Sequence, residues 1–163
     1  AGEFLRLEYR PYVYGPYADA LRKVLRTIEG HYTRGVGDGR NSPETALELL
    51  PGAVDAARAF LVDKPQTQER LLRVARLIEG FETPLGMELL GTVHWVATRE
   101  GGAGDVEAAI RGVHGWSARK RSAMKDGQII AAWTRLCEAG WLDHPASKSP
   151  SPDPSNKSAS SGR

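Results

Sequence analysis

The residues best equipped for chemistry in this chain are few and scattered. Its four histidines, His31, His94, His114 and His144, stand singly, and Cys137, the one cysteine, has no neighbour at zinc-site spacing. No metal site is expected. Cys137 falls on the apolar side of a helical pattern, where a small buried hydrophobe is the simpler reading. No serine sits in a GxSxG elbow, and spacing alone pairs no two carboxylates as acid and base. The loop Arg34-Gly35-Val36-Gly37-Asp38-Gly39-Arg40-Asn41 has alternate glycines that would expose backbone N–H groups to an anion. No apolar strand leads into it and no Lys-Ser/Thr follows, so neither the dinucleotide nor the P-loop context is met. The expectation is a chain that is not an enzyme, with no cofactor and no small-molecule substrate.

Two sets of residues suit binding instead. Arg119-Lys120-Arg121 follows Trp116 closely, and a basic triplet beside an aromatic ring is a pattern that meets DNA. The second set gathers near expected helix ends: Tyr14 between Tyr12 and Tyr17, then Glu29, His31, Tyr32 and Asp38, then Glu79, Glu82 and Glu88 around Phe81. Tyrosines and carboxylates near loops suit a protein-binding surface. They also suit imitation of a nucleic acid, with carboxylates standing in for phosphates and rings for bases.

The elements that must position these residues read as helices. A first helix is expected over 16–30, with Leu21, Val24, Leu25 and Ile28 on one face and Gly30 at its end. Residues 46–50 are a short strand or an irregular apolar anchor. Helical spacing returns over 52–62 and 66–79. Thr83 then caps a further helix that has Pro84 in its first position and is apolar nearly all round from 89 to 97. Gly101-Gly102-Ala103-Gly104 breaks the pattern. A helix over about 105–113, a turn centred on Trp116, and a helix over about 128–139 follow. Ile129, Ile130, Trp133, Leu136 and Cys137 are expected on the inner face of the last, with Gly140 just past its end. The fold class is therefore mainly α: a compact helical domain with a winged-helix or helix-turn-helix-like C-terminal subdomain and at most one short β element.

The chain has 163 residues, enough for one domain with a real core. That domain is placed at 5–144, with sub-regions 5–100 and 103–144. Residues 1–4 read as an expression scar. The stretch 145–163, PASKSPSPDPSNKSASSGR, is too poor in apolar residues to offset its ordering entropy and is expected to be disordered. It also carries the whole net charge of +2, so the body is balanced, a poor basis for non-specific nucleic-acid binding. One cysteine makes no internal disulfide, and no apolar run is long enough to cross a membrane, so a cytoplasmic protein is expected.

Two segments carry a family likeness. Tyr14-Gly15-Pro16-Tyr17-Ala18-Asp19-Ala20-Leu21, running to Glu29-Gly30-His31-Tyr32, is the first. The more specific is Gly80-Phe81-Glu82-Thr83-Pro84-Leu85-Gly86-Met87-Glu88-Leu89-Leu90, running to Val93-His94-Trp95-Val96. Over about 9–143 the chain resembles the C-terminal, toxin-neutralising region of DarG antitoxins. The resemblance implies a partner, DarT, a toxin that uses NAD to ADP-ribosylate thymidine in single-stranded DNA. It implies that the chain binds DarT and blocks it, without the macrodomain with which DarG proteins reverse the modification. Tyr14, Glu29, His31, Tyr32, Asp38, Glu79, Phe81 and Glu82 would then meet the toxin, occupying its DNA groove as an acidic and aromatic mimic. The alternative is a DNA-binding module of winged-helix type, such as an operator binder, acting through Arg119, Lys120 and Arg121.

Overall fold

The computed structural model describes residues 5–36, 46–99 and 101–142. The expected scar at 1–4, the tail at 145–163, and Asp38 with most of its glycine loop lie outside the described residues.

Chain order begins with a ribbon. β1 (Arg10–Tyr12) and β2 (Gly15–Tyr17) pair antiparallel through a two-residue turn, with Pro11 opposite Pro16. This corrects the helix expected to begin at Pro16. In an antiparallel ladder hydrogen-bonded and non-bonded pairs alternate, and a pair of prolines fits a position needing no N–H. Arg10 stacks over the Tyr12 and Tyr17 rings, 5.3 and 5.6 Å from their centroids, and reaches Asp19 at 3.2 Å. The helix α1 then runs Asp19–Ile28. A second ribbon joins β3 (Thr33–Arg34) to β4 (Glu48–Leu49), also antiparallel. The chain is mainly α as expected, but four short strands stand where at most one β element was anticipated. Two- and three-residue strands are too short for their side-chain period to register in a sequence.

Short connections join the remaining helices, α2 (Ala53–Leu61), α3 (Pro65–Ile78), α4 (Pro84–Thr98), α5 (Val106–Trp116), α6 (Ala118–Ala123) and α7 (Asp126–Glu138), the two longest lying before and after α4. Their starts follow local chemistry. Thr83 Oγ1 accepts from Gly86 N at 3.0 Å, Asp105 Oδ1 from Ala108 N at 2.7 Å, and Ser117 Oγ from Lys120 N at 3.2 Å. α7 ends in a Schellman turn. Gly140, at φ +69°, donates to Cys137 O at 3.0 Å, and Trp141 N donates to Leu136 O at 2.8 Å. Trp116 is the last residue of α5 rather than the centre of a turn, and α6 is an extra helix that its six residues were too few to announce.

The core lies among α4, α5 and α7. Leu89, Leu90 and Val93 pack with Ala109 and Val113, with Met124, and with Ile129, Ala132, Trp133 and Leu136. α4 is the most deeply set helix, as its apolar circumference predicts. The turn after α4 brings α5 directly back onto it. A Cβ on Gly112 would overlap Cγ1 of Val96, so glycine permits that close crossing. α7 departs from expectation at Ile130, which is exposed. Arg135 of α7 crosses to α3 and closes its C-terminal carbonyls, donating to Leu77 O at 3.1 Å and Glu79 O at 3.2 Å. Among the described residues no strand follows α7, and α5, α6 and α7 form a helical corner.

Candidate partner-binding site

Two surface features stand out once the core is accounted for. The first is a groove of about 1280 Å³ between α4 and the β1–β2 ribbon. Tyr9, Tyr14 and Pro16 form one wall, and Leu85, Met87 and Trp95 the other. Thr83 and Pro84 start α4 so that its residues 84, 87, 88, 91, 94, 95 and 98 face the groove at i, i+3, i+4 spacing.

A buried charge cluster sets the groove floor. Lys120 is wholly buried, and its ammonium donates to Glu88 Oε1 at 2.5 Å and to Thr92 Oγ1 at 3.0 Å. Arg119 closes on the same carboxylate with both arms, at 2.6 and 2.9 Å, while its guanidinium lies 4.6 Å from the Tyr14 ring centroid. Burial by itself would raise the Glu88 carboxyl, but hydrogen bonds from Arg119 and Lys120 outweigh it and hold the group below its ordinary value. For Lys120 burial prevails and lowers the ammonium, with Glu88 opposing. We take the pair as ionised at neutral pH, because three donors converge on a single carboxylate.

At the far end of the groove Arg99 lies over the Trp95 ring, 3.9 Å from its centroid. Trp95 meets Trp116 edge-on at 6.5 Å, and Trp116 Nε1 donates to Tyr12 O at 3.0 Å, so this platform is tied to the ribbon. His94, also in the lining, is held neutral chiefly by burial, with Arg99 adding to the effect.

The second feature is apolar. α1 buries none of its residues, and its expected core face is largely open, with Leu21 and Val24 exposed. Phe60 on α2 is 67% exposed and Leu72 on α3 is 57% exposed, and Val62, Leu71, Leu47 and Leu49 stand out as well. On α1, α2 and α3 their helical spacing is the same signal that marks core elsewhere in this chain. Large apolar side chains left in water each forgo the roughly 1.5–3 kcal/mol that burial would supply.

The residues singled out in the sequence scatter over this frame. Tyr14 lines the groove. Glu29 is turned inward, accepting from Gly35 N at 2.9 Å and Val36 N at 3.2 Å. His31 and Tyr32 are exposed beyond the end of α1. Glu79 lies 3.7 Å from Arg135, Phe81 packs against the core, and Glu82 is exposed. The tyrosines and carboxylates therefore do not form one acidic face. The basic triplet is consumed within the fold: Arg119 and Lys120 hold Glu88, and Arg121 donates to His114 O at 3.1 Å. Thr92 and Arg99 carry no signal in the sequence, and Glu88 reads there only as a carboxylate near Phe81, since only the approach of α6 and the ribbon to α4 joins it to Arg119 and Lys120. The Cys137 thiol is pushed up by burial and stays protonated near neutrality. Among the described residues no group of histidines, cysteines and carboxylates is placed to hold a metal ion, and no helix is long and apolar enough to cross a membrane.

No protein-family model matches the chain. Among curated proteins it is similar to a DNA ADP-ribosyl glycohydrolase of Thermus aquaticus, 42% identical over 151 residues, which covers 89% of this chain and 41% of the relative. Proteins of the same name from Mycobacterium bovis and Mycobacterium tuberculosis are 37% identical over 137 residues, covering 81% of this chain and 39% of each relative. The chain is thus related, over most of its own length, to DNA ADP-ribosyl glycohydrolases. It spans about two fifths of the length of these relatives. These names support the relation to DarG proteins and correct the expectation that the chain is not an enzyme, because the name its relatives carry is that of an enzyme activity.

Proposed function

We propose that this chain is part of a DNA ADP-ribosyl glycohydrolase of DarG type, and that its own surface binds a DarT-type toxin and blocks it. The single observation that carries the reading is the number of large apolar side chains left open on three amphipathic helices, Leu21 and Val24 on α1, Phe60 on α2, Leu71 and Leu72 on α3. A stable protein interface needs a desolvated apolar centre with a polar rim. These helices supply the centre, and Arg22, Arg58 and Glu69 among others supply charges around it. Contact through apolar faces is better supported than acidic mimicry, since Glu29 is engaged within the fold and the other candidate carboxylates do not share one face with it. DNA binding by the basic triplet finds no favouring observation.

The experiment combines the chain with a DarT toxin from the same source, NAD and a thymidine-containing single-stranded oligonucleotide. Modification of the DNA should stop when chain and toxin are near equal concentration. Modification that proceeds unchanged would remove the toxin-binding reading. A parallel reaction with already modified DNA and no toxin separates blocking from reversal, because release of ADP-ribose there would place the activity named for the relatives in this chain.

A further inference from the structure

We propose that the groove between α4 and the β1–β2 ribbon receives a segment of the protein partner in which a carboxylate neighbours an apolar or aromatic side chain, with Arg99 holding the carboxylate. The inference rests on the partner-binding reading above and adds what the partner must present.

Size speaks first. At about 1280 Å³ the groove is larger than the pockets of roughly 300–1,000 Å³ that enclose small ligands, so it suits a stretch of polymer. Charge then decides which polymer. Of the groove's cations, Arg119 is closed on Glu88, and its neighbour Lys120 is buried on Glu88 and Thr92. His94 is neutral near pH 7. Arg99 is exposed and makes no ion pair with any described residue. One available cation among the described residues of the groove does not match a nucleic-acid strand, whose regular phosphates call for a cation at each step. It matches a protein segment with a single carboxylate. Held over the Trp95 ring at 3.9 Å from its centroid, the guanidinium still offers N–H groups to a planar, two-armed acceptor, and part of its freedom is already spent before binding. The rest of the lining, Tyr9, Tyr14, Leu85 and Met87, offers ring faces and aliphatic surface to the neighbouring side chain.

The test measures binding of the full chain to immobilised toxin, with dissociation rates, for the native sequence and for Arg99→Glu, Met87→Glu and Arg111→Glu. Arg99 and Met87 are exposed in the groove, and Arg111 is an exposed residue of α5 outside it. Arg99→Glu should weaken binding about ten-fold or more, chiefly by faster dissociation, as loss of a charge-assisted contact does. Met87→Glu should weaken it too, while Arg111→Glu stays within about two-fold because only long-range charge changes there. If native chain binds and both groove variants bind equally well, the groove inference falls alone. Equal weakening by Arg99→Glu and Arg111→Glu would overturn it as well. Absence of binding by the native chain removes the partner reading and this inference with it. A labelled oligo-dT bound by the chain without toxin, and released by Arg99→Glu, would assign the groove to nucleic acid and overturn the proposal.

Discussion

At Glu88 one carboxylate serves two cations, one of them with no access to water. The consequences of removing either partner are unequal. Glu88→Ala strands the buried Lys120 ammonium and should destabilise the fold by about 3–5 kcal/mol. Lys120→Met should do less harm, because Glu88 keeps the two-armed contact from Arg119 and methionine fills the volume. Urea midpoints of the two variants test this order. The pH dependence follows from the lowered Glu88 carboxyl. In the unfolded chain it takes up a proton near its ordinary value of about 4.3, in the folded chain only at lower pH. Its stabilisation is complete above the unfolded value and is lost as pH falls through the folded one. The stability gap between native chain and Glu88→Gln should therefore be wide at pH 7 and narrow progressively below about pH 4.

Helices that look alike in sequence have opposite fates in this molecule. α4 and α5 meet so closely at Gly112 that Gly112→Ala must displace Val96, a loss of about 1–3 kcal/mol by overpacking that thermal melting would show. α1, α2 and α3 present the same apolar periodicity to solvent. Phe60→Ser and Leu72→Ser should consequently leave the melting temperature within a few degrees of native and weaken toxin binding by about ten-fold or more, as loss of a buried interface anchor does. A large drop in stability with unchanged binding would show instead that these faces serve the fold. The ribbon behaves as a third kind of element. It is small, but Tyr12 and Tyr14 attach it to Trp116 and Arg119, and so it forms a groove wall rather than a loose end.

For the whole molecule, charge is nearly balanced and its most conspicuous basic run is spent internally. The chain alone should give no gel shift with duplex or single-stranded DNA at physiological salt. A shift that weakens steeply with salt would revive the winged-helix reading. Toxin binding should respond to salt mainly in the association rate, since the proposed contacts are largely apolar and hold once formed.

Legible along the chain is what local chemistry settles: a mainly helical fold, the Thr83–Pro84 start of α4, the Gly140 stop of α7, the deep burial of α4, and the likeness to DarG proteins in the segments around Pro16 and Phe81. Each of these depends on neighbours a few residues away. Tertiary structure alone decided whether an apolar face is core or surface, because periodicity says that a face is apolar and not what covers it. Leu21 and Leu72 were as good core candidates as Leu90 and Leu136, and only the packing of α4 with α5 and α7 tells them apart. The candidate site was illegible for the same reason. Glu88 and Lys120 are 32 positions apart, Tyr12 and Trp116 are 104 apart, and nothing short of the fold brings them within reach of a hydrogen bond.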